Sequence, residues 1–287
     1  LADPRASGEL LYCAPGGHAP LLQCDDGASL ASRFERIGLV DIDPATLAPA
    51  AALAHALNPS ARVETMVLDF SGRVGQRLCD IYADALRAST TASEVAERLG
   101  EASERAQSIF RDASEIVGTM SEQIDASLGR FPDGLCVSEM MASFTATPAF
   151  LAFRSELYRM LARTDDRRAV SDALERAARL WQVYNDLFLH FHLRFFRSQL
   201  SVGGQVIIVF DTQKIFDDAK LGPIASFSDG FSFSKAFKAS RLKARRHAEA
   251  VWLDHPVDYE AKVHGIAVND FKAHRHAIAL FALEAVG

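Results

Sequence analysis

Several familiar signatures are missing from this chain of 287 residues. Its four cysteines, Cys13, Cys24, Cys79 and Cys136, form no C-x-x-C pair, so neither a zinc ribbon nor a dithiol redox centre is expected. No metal site is expected either. His190 and His192 lie two apart, on different sides of a helix, whereas helical ligand pairs sit three or four apart. No apolar run approaches the roughly 20 residues that span a bilayer. Positive charge is in deficit: the net charge is −6, so the molecule as a whole has no pull towards nucleic acid or anionic membrane. There is no G-x-G-x-x-G, which argues against a nicotinamide or flavin enzyme. No secretory signal is read at the start, and the chain opens at Leu1 rather than Met, as a processed form or excised piece would. A reducing, cytoplasmic setting with buried structural cysteines is expected.

What is present is apolar pattern, 49% of the residues, enough for a sizeable core. The stretch Glu9 to Asp43 organises the rest. Glu9-Leu10-Leu11-Tyr12-Cys13-Ala14 has strand character and breaks at Pro15-Gly16-Gly17-His18. A helix is expected over about 19–34, then a second strand over 37–41 ending in Val40-Asp41-Ile42-Asp43. A glycine turn lets a ligand approach the backbone, and a following helix offers its positive end. A carboxylate at the tip of the second strand suits a ribose diol, because it accepts two hydroxyl hydrogen bonds. A plain strand–helix–strand unit with a tight turn fits the same residues.

Asp43 and Pro44 read as the cap and first position of a helix running to about Leu57, with Pro49 a possible bend and Asn58-Pro59 its end. Arg62 to Phe70 reads as the third strand, ending in Asp69-Phe70. Residues 75–129 are long and helical, with Val95, Leu99, Ala102, Ala106, Ile109, Ala113, Val117, Met120 and Ile124 in one apolar stripe. Asp133 to Glu139 reads as the fourth strand, and Ala146 to Leu161 as a helix. A second long helix runs over about 167–200 with Trp181, Tyr184, Phe188, Phe191, Phe195 and Phe196. That stripe suits ordinary core first and the wall of an apolar pocket second.

Gly203-Gly204 turns this helix into the continuous apolar strand Gln205 to Asp211. Asp211 reads as a capping or exposed acid before a base. Residues 222–234 read as a loop able to move over a site. Lys235, Lys238, Arg241, Lys243, Arg245 and Arg246 read as a basic helix. It suits a solvated surface first, and an acidic partner, phosphate or RNA second. Two more strands are expected, over 249–253 and 277–283.

Taken as a series, the glycine turn, Asp41, Asp69-Phe70, Asp133 to Glu139, Gly203-Gly204 and the apolar last strand resemble the class I S-adenosylmethionine-dependent methyltransferases. The glycine loop departs from that family's pattern: Ala14, Gly16 and His18 stand where three glycines are usual, and Tyr12 where an acid is common. The resemblance implies an α/β fold with a Rossmann-like, seven-stranded, mostly parallel sheet. One domain is expected over 1–287, with helical insertions at about 75–129 and 163–200. It implies S-adenosylmethionine as cofactor, held by Ala14, Gly16, His18, Asp41, Ile42, Asp69, Phe70 and Ser138. Glu139, Met140 and Met141 then face the acceptor. No catalytic base is assigned; Glu139 and His264 are the candidates. The expected acceptor is a small, partly apolar molecule ahead of nucleic acid, with a protein docking on the helical insertion as another option. The alternative is an interaction protein that kept the fold and lost the activity.

Overall fold

The computed structural model describes residues 8–15, 22, 29–68, 80–81, 83–109, 113–139, 159, 162–163, 165–213, 227–253 and 275–287. Among these residues are seven strands: β1 (Glu9–Cys13), β2 (Arg36–Asp41), β3 (Arg62–Val67), β4 (Leu135–Glu139), β5 (Gln205–Gln213), β6 (Leu242–Leu253) and β7 (Arg275–Ala285). They form one sheet in the order β3-β2-β1-β4-β5-β7-β6. The first five run parallel. β7 runs antiparallel to both its neighbours, between β5 and β6. This is the Rossmann-like, mostly parallel α/β sheet that the sequence implies, with its last strand inserted antiparallel.

Leu10 to Cys13 are all buried, because a central parallel strand is covered on both faces and carries a continuous apolar run. Alternation sends Leu11, Cys13, Cys136, Val206 and Ile208 to one core, and Leu10, Tyr12, Ile37, Leu39 and Val137 to the other. The second core is closed by α1 (Pro44–Leu57) through Leu47, Ala50 and Ala54. Asp43 caps this helix by accepting from the Ala45 N–H at 2.9 Å, and Pro44 occupies the first turn, where no N–H is needed. Pro49 lies inside the helix without ending it. Asn58 ends it, and its side chain donates to the carbonyls of Ala31 and Phe34 at 3.0 and 2.8 Å.

The first core is closed by α2 (Ala92–Ile109), α3 (Ala113–Ser127) and α4 (Arg167–Gln199). Val95, Leu99, Ala102, Met120 and Ile124 are buried and Val117 packs against them, so the stripe is real but divided between two helices. Both pack on α4. The aromatic positions Phe188, Phe191, Phe195 and Phe196 are buried core. No helix among the described residues is long and apolar enough to cross a membrane.

Three expectations are corrected. Of the helix expected over 19–34, the described part is a 3-10 turn, Leu30–Arg33, capped by the Ser29 side chain. β4 begins at Leu135, because residues 132–133 form a turn at its entry. The basic helix is only seven residues long, α5 (Phe233–Ala239). Arg241 takes a left-handed φ of 53°, and the chain turns into β6 at Leu242, so Lys243, Arg245 and Arg246 lie on a strand rather than a helix. Pairing with β7 and an ion pair from Arg245 to Glu284 hold that edge. The helix expected over 146–161 lies almost wholly outside the described residues.

Candidate functional site

The parallel register sets the carboxyl ends of three strands at one level. Cys13 sits opposite Val40 on one side and Ser138 on the other. The carboxyl ends of β1, β2 and β4 therefore lie side by side. Between β1 and β4 the strand order reverses: successive connections run outward to β2 and β3 on one side and to β5 on the other. Such a reversal opens a crevice beyond the carboxyl ends, the usual ligand position in open α/β sheets.

Ala14 stands at this crevice with φ 54° and donates its N–H to the Val40 carbonyl at 2.7 Å. The backbone adopts here the conformation that glycine takes without cost, and an L side chain pays roughly 1–2 kcal/mol for it. The turn takes the shape of a glycine turn although the residue is alanine.

Asp41 ends β2 and is 8% exposed. Its Oδ1 accepts from the Asp43 N–H at 3.1 Å, and its main-chain carbonyl accepts from Leu68 at 2.9 Å. These bonds fix the carboxylate. Among the described residues no donor reaches Oδ2, which remains able to accept from a ligand. Beside it, Ile42 is 41% exposed, and Val67, paired in register with Asp41, is 54% exposed. Two exposed apolar side chains flanking a fixed carboxylate offer a shelf for a flat, weakly polar group next to a hydroxyl-binding point. Val67 was absent from the sequence-derived site; its place at the end of a strand beside an acid was the available signal.

Ser138 is fully buried, and among the described residues its Oγ has no partner. A buried hydroxyl left unbonded costs about 1–3 kcal/mol unless something completes it. It faces the helical layer together with Cys13, whereas Asp41 belongs to the other face. A ligand reaching both lies across the sheet edge, over Ala14. Burial pushes the thiols of Cys13 and Cys136 well up, so both are protonated structural groups and not nucleophiles.

The structure thus brings together Ala14, Asp41, Ile42 and Ser138, with the backbone of Glu139 at the same edge. Gly16, His18, Asp69, Phe70, Met140, Met141 and His264 lie outside the described residues, as do the side chains of Glu139 and Asp211.

A second group of polar side chains was not assembled from the sequence, which weighed His190 only beside His192 as a metal ligand. Asp186 on α4 accepts from the Ser228 N–H at 3.1 Å, and burial pushes its carboxyl up. His190, one turn along, packs edge-on to Phe231 at 6.0 Å. Burial, then the nearby Arg194 charge, lowers its basicity. The four-residue spacing was the only available sign. The segment they meet belongs to the loop that the sequence leaves able to move over a site. Its described part is pinned by ring contacts, Phe210 to Phe227 at 5.4 Å and to Phe233 at 5.1 Å. His192 is buried in the core, with Nδ1 against the Phe188 carbonyl at 2.9 Å. No cluster among the described residues has the makings of a metal site.

No family model and no curated protein sequence matches the chain. Solved structures do. A SAM-dependent methyltransferase from Methanosarcina mazei superposes with a TM-score of 0.41 at 10% identity, over 98% of this chain and 94% of that one. A S-adenosylmethionine-dependent methyltransferase from Clostridium acetobutylicum superposes at 0.38 with 8% identity, over 97% and 84%. Superpositions this loose assign no activity.

Proposed function

We propose that this chain binds S-adenosylmethionine across the carboxyl edge of β1, β2 and β4 and transfers its methyl group to a small, partly apolar acceptor. The observation that carries this reading is the reversal of strand order between β1 and β4, with Asp41 fixed beside it and Oδ2 open. Asp41 would receive the ribose hydroxyls, Ile42 and Val67 would flank the adenine, and the Ser138 hydroxyl would gain its missing partner. The backbone at Ala14 would pass close to the ligand. When bound, the sulfonium supplies an activated methyl group and its own leaving group. The protein's part is then to align the acceptor with the methyl carbon and exclude water. The end of β4, at Glu139, would be the acceptor side of this edge.

A second reading, a binding protein with this fold and no methyl transfer, draws on Ala14. A side chain where the turn wants glycine narrows the approach of a ligand to the backbone. Calorimetric titration with S-adenosylmethionine and S-adenosylhomocysteine separates the two. Micromolar binding of both is expected. A folded sample that takes up neither removes the methyltransferase reading and leaves the second.

A further inference from the structure

We infer that the rim formed by α5 and the start of β6 is a docking surface for the phosphodiester backbone of a nucleic acid. Residues 235–246 hold six cations and no acid. Removing these six from a chain of net charge −6 leaves −12 on the remainder. The run is therefore a local excess of positive charge that the whole-chain figure hides. All six side chains are exposed. They are spread over two elements: Lys235 and Lys238 on α5, Arg241 at the turn, and Lys243, Arg245 and Arg246 on the edge strand. Arg245 is paired with Glu284 at 2.7 Å, and Lys243 lies opposite the same acid. Among the described residues no ion pair engages Lys235, Lys238, Arg241 or Arg246.

The surrounding chemistry selects the occupant. Apart from the cations, the exposed residues from 238 to 248 are Ala239, Ala244, His247 and Ala248. A protein interface draws most of its energy from large buried anchors, and none is offered here. Nucleic-acid interfaces are polar, basic and dominated by phosphate contacts. The register shift between Ala244 and Arg246 breaks the regular edge, which disfavours strand addition by a peptide.

The place of the rim fixes its role. Leu242 pairs with Ala285, whose N–H bonds to the Gly204 carbonyl at the entry of β5. The basic rim is thus at the amino edge of the sheet, the opposite edge from Asp41 and Ser138. It tethers the chain to a polyanion and does not present a base to the candidate site, so it stands or falls independently of the proposed methyl transfer.

The test is fluorescence anisotropy with labelled 20-nucleotide RNA and DNA strands of one mixed sequence, titrated from 50 to 300 mM salt. Both are expected to bind within a few-fold of each other. Affinity should fall with a log–log salt slope of about −2 to −4, the release expected for three to five phosphates on a single strand. The triple variant Lys238→Glu/Lys243→Glu/Arg246→Glu should lose at least tenfold in affinity with its circular-dichroism melt unchanged. Arg163→Glu, an exposed cation elsewhere, should bind as the parent does. Absence of binding at 50 mM salt overturns the inference, as does a folded triple variant that binds normally. Polyglutamate bound as tightly as RNA overturns the nucleic-acid assignment.

Discussion

Asp41 is the residue on which the candidate site turns. Its carboxylate is oriented by one backbone N–H and keeps one oxygen open. Asp41→Ala should weaken S-adenosylhomocysteine binding by about 1–3 kcal/mol, the scale of a charge-assisted hydrogen bond. Calorimetry on a variant with an unchanged melt reads this directly, and equal affinity would remove the ribose assignment. His192 supplies a different prediction. It is fully enclosed, and burial lowers its pKa to about 4 despite the bond to the Phe188 carbonyl. The folded value lies below the ordinary one near 6.5, so the unfolded chain takes up the proton first as pH falls. The stability linked to this group is complete above about pH 6.5 and is lost progressively towards pH 4, on the order of 3 kcal/mol. Denaturant midpoints measured across that window should fall for the parent and fall less for His192→Leu.

At the amino edge one side chain joins several elements. The Arg36 guanidinium lies 4.1 Å over the Phe131 ring and pairs with Glu9 at 3.1 Å and Glu64 at 3.0 Å. It thereby ties β1, β2 and β3 to the segment that enters β4. Gly38 makes this possible: a Cβ there would stand 2.8 Å from Phe131 Cζ. Gly38→Ala must push the ring out from under Arg36, at a cost of about 1–3 kcal/mol. Adding Phe131→Leu should recover part of that loss, and an unchanged denaturant midpoint in Gly38→Ala alone would refute the account. The edge of β6 shows why local reading failed at this scale. Lys235, Lys238 and Arg241 recur every three residues and look helical to the end. The left-handed backbone at Arg241 and the long-range pairing with β7 stop the helix, and neither is written in the spacing.

At the scale of the whole molecule, α2, α3 and α4 form a layer over one face of the sheet. It closes one core of the sheet, which gives it a structural role in any case. If residues 83–127 also close over the carboxyl edge, S-adenosylhomocysteine should slow their amide exchange severalfold, while exchange in α1 on the other face stays as it was. Identical exchange with and without ligand would leave the layer purely structural.

The sequence by itself determined the strands β1, β2 and β5, the capped helix after Asp43, the Gly203-Gly204 turn and the burial of Cys13 and Cys136. Each depends on neighbours within a few residues: a continuous apolar run, a cap followed by proline, a glycine where φ is positive. It also marked Asp41, because an acid at the tip of an apolar strand is a local pattern. Only the tertiary structure decided that Val67 stands beside that acid, that no described residue partners the Ser138 hydroxyl, and that Asp186 and His190 meet the segment after residue 226. It alone divided the basic run between a helix and an edge strand, at the edge opposite the candidate site. These facts rest on which strands pair and which face each side chain takes, and such pairings join residues tens to more than a hundred positions apart.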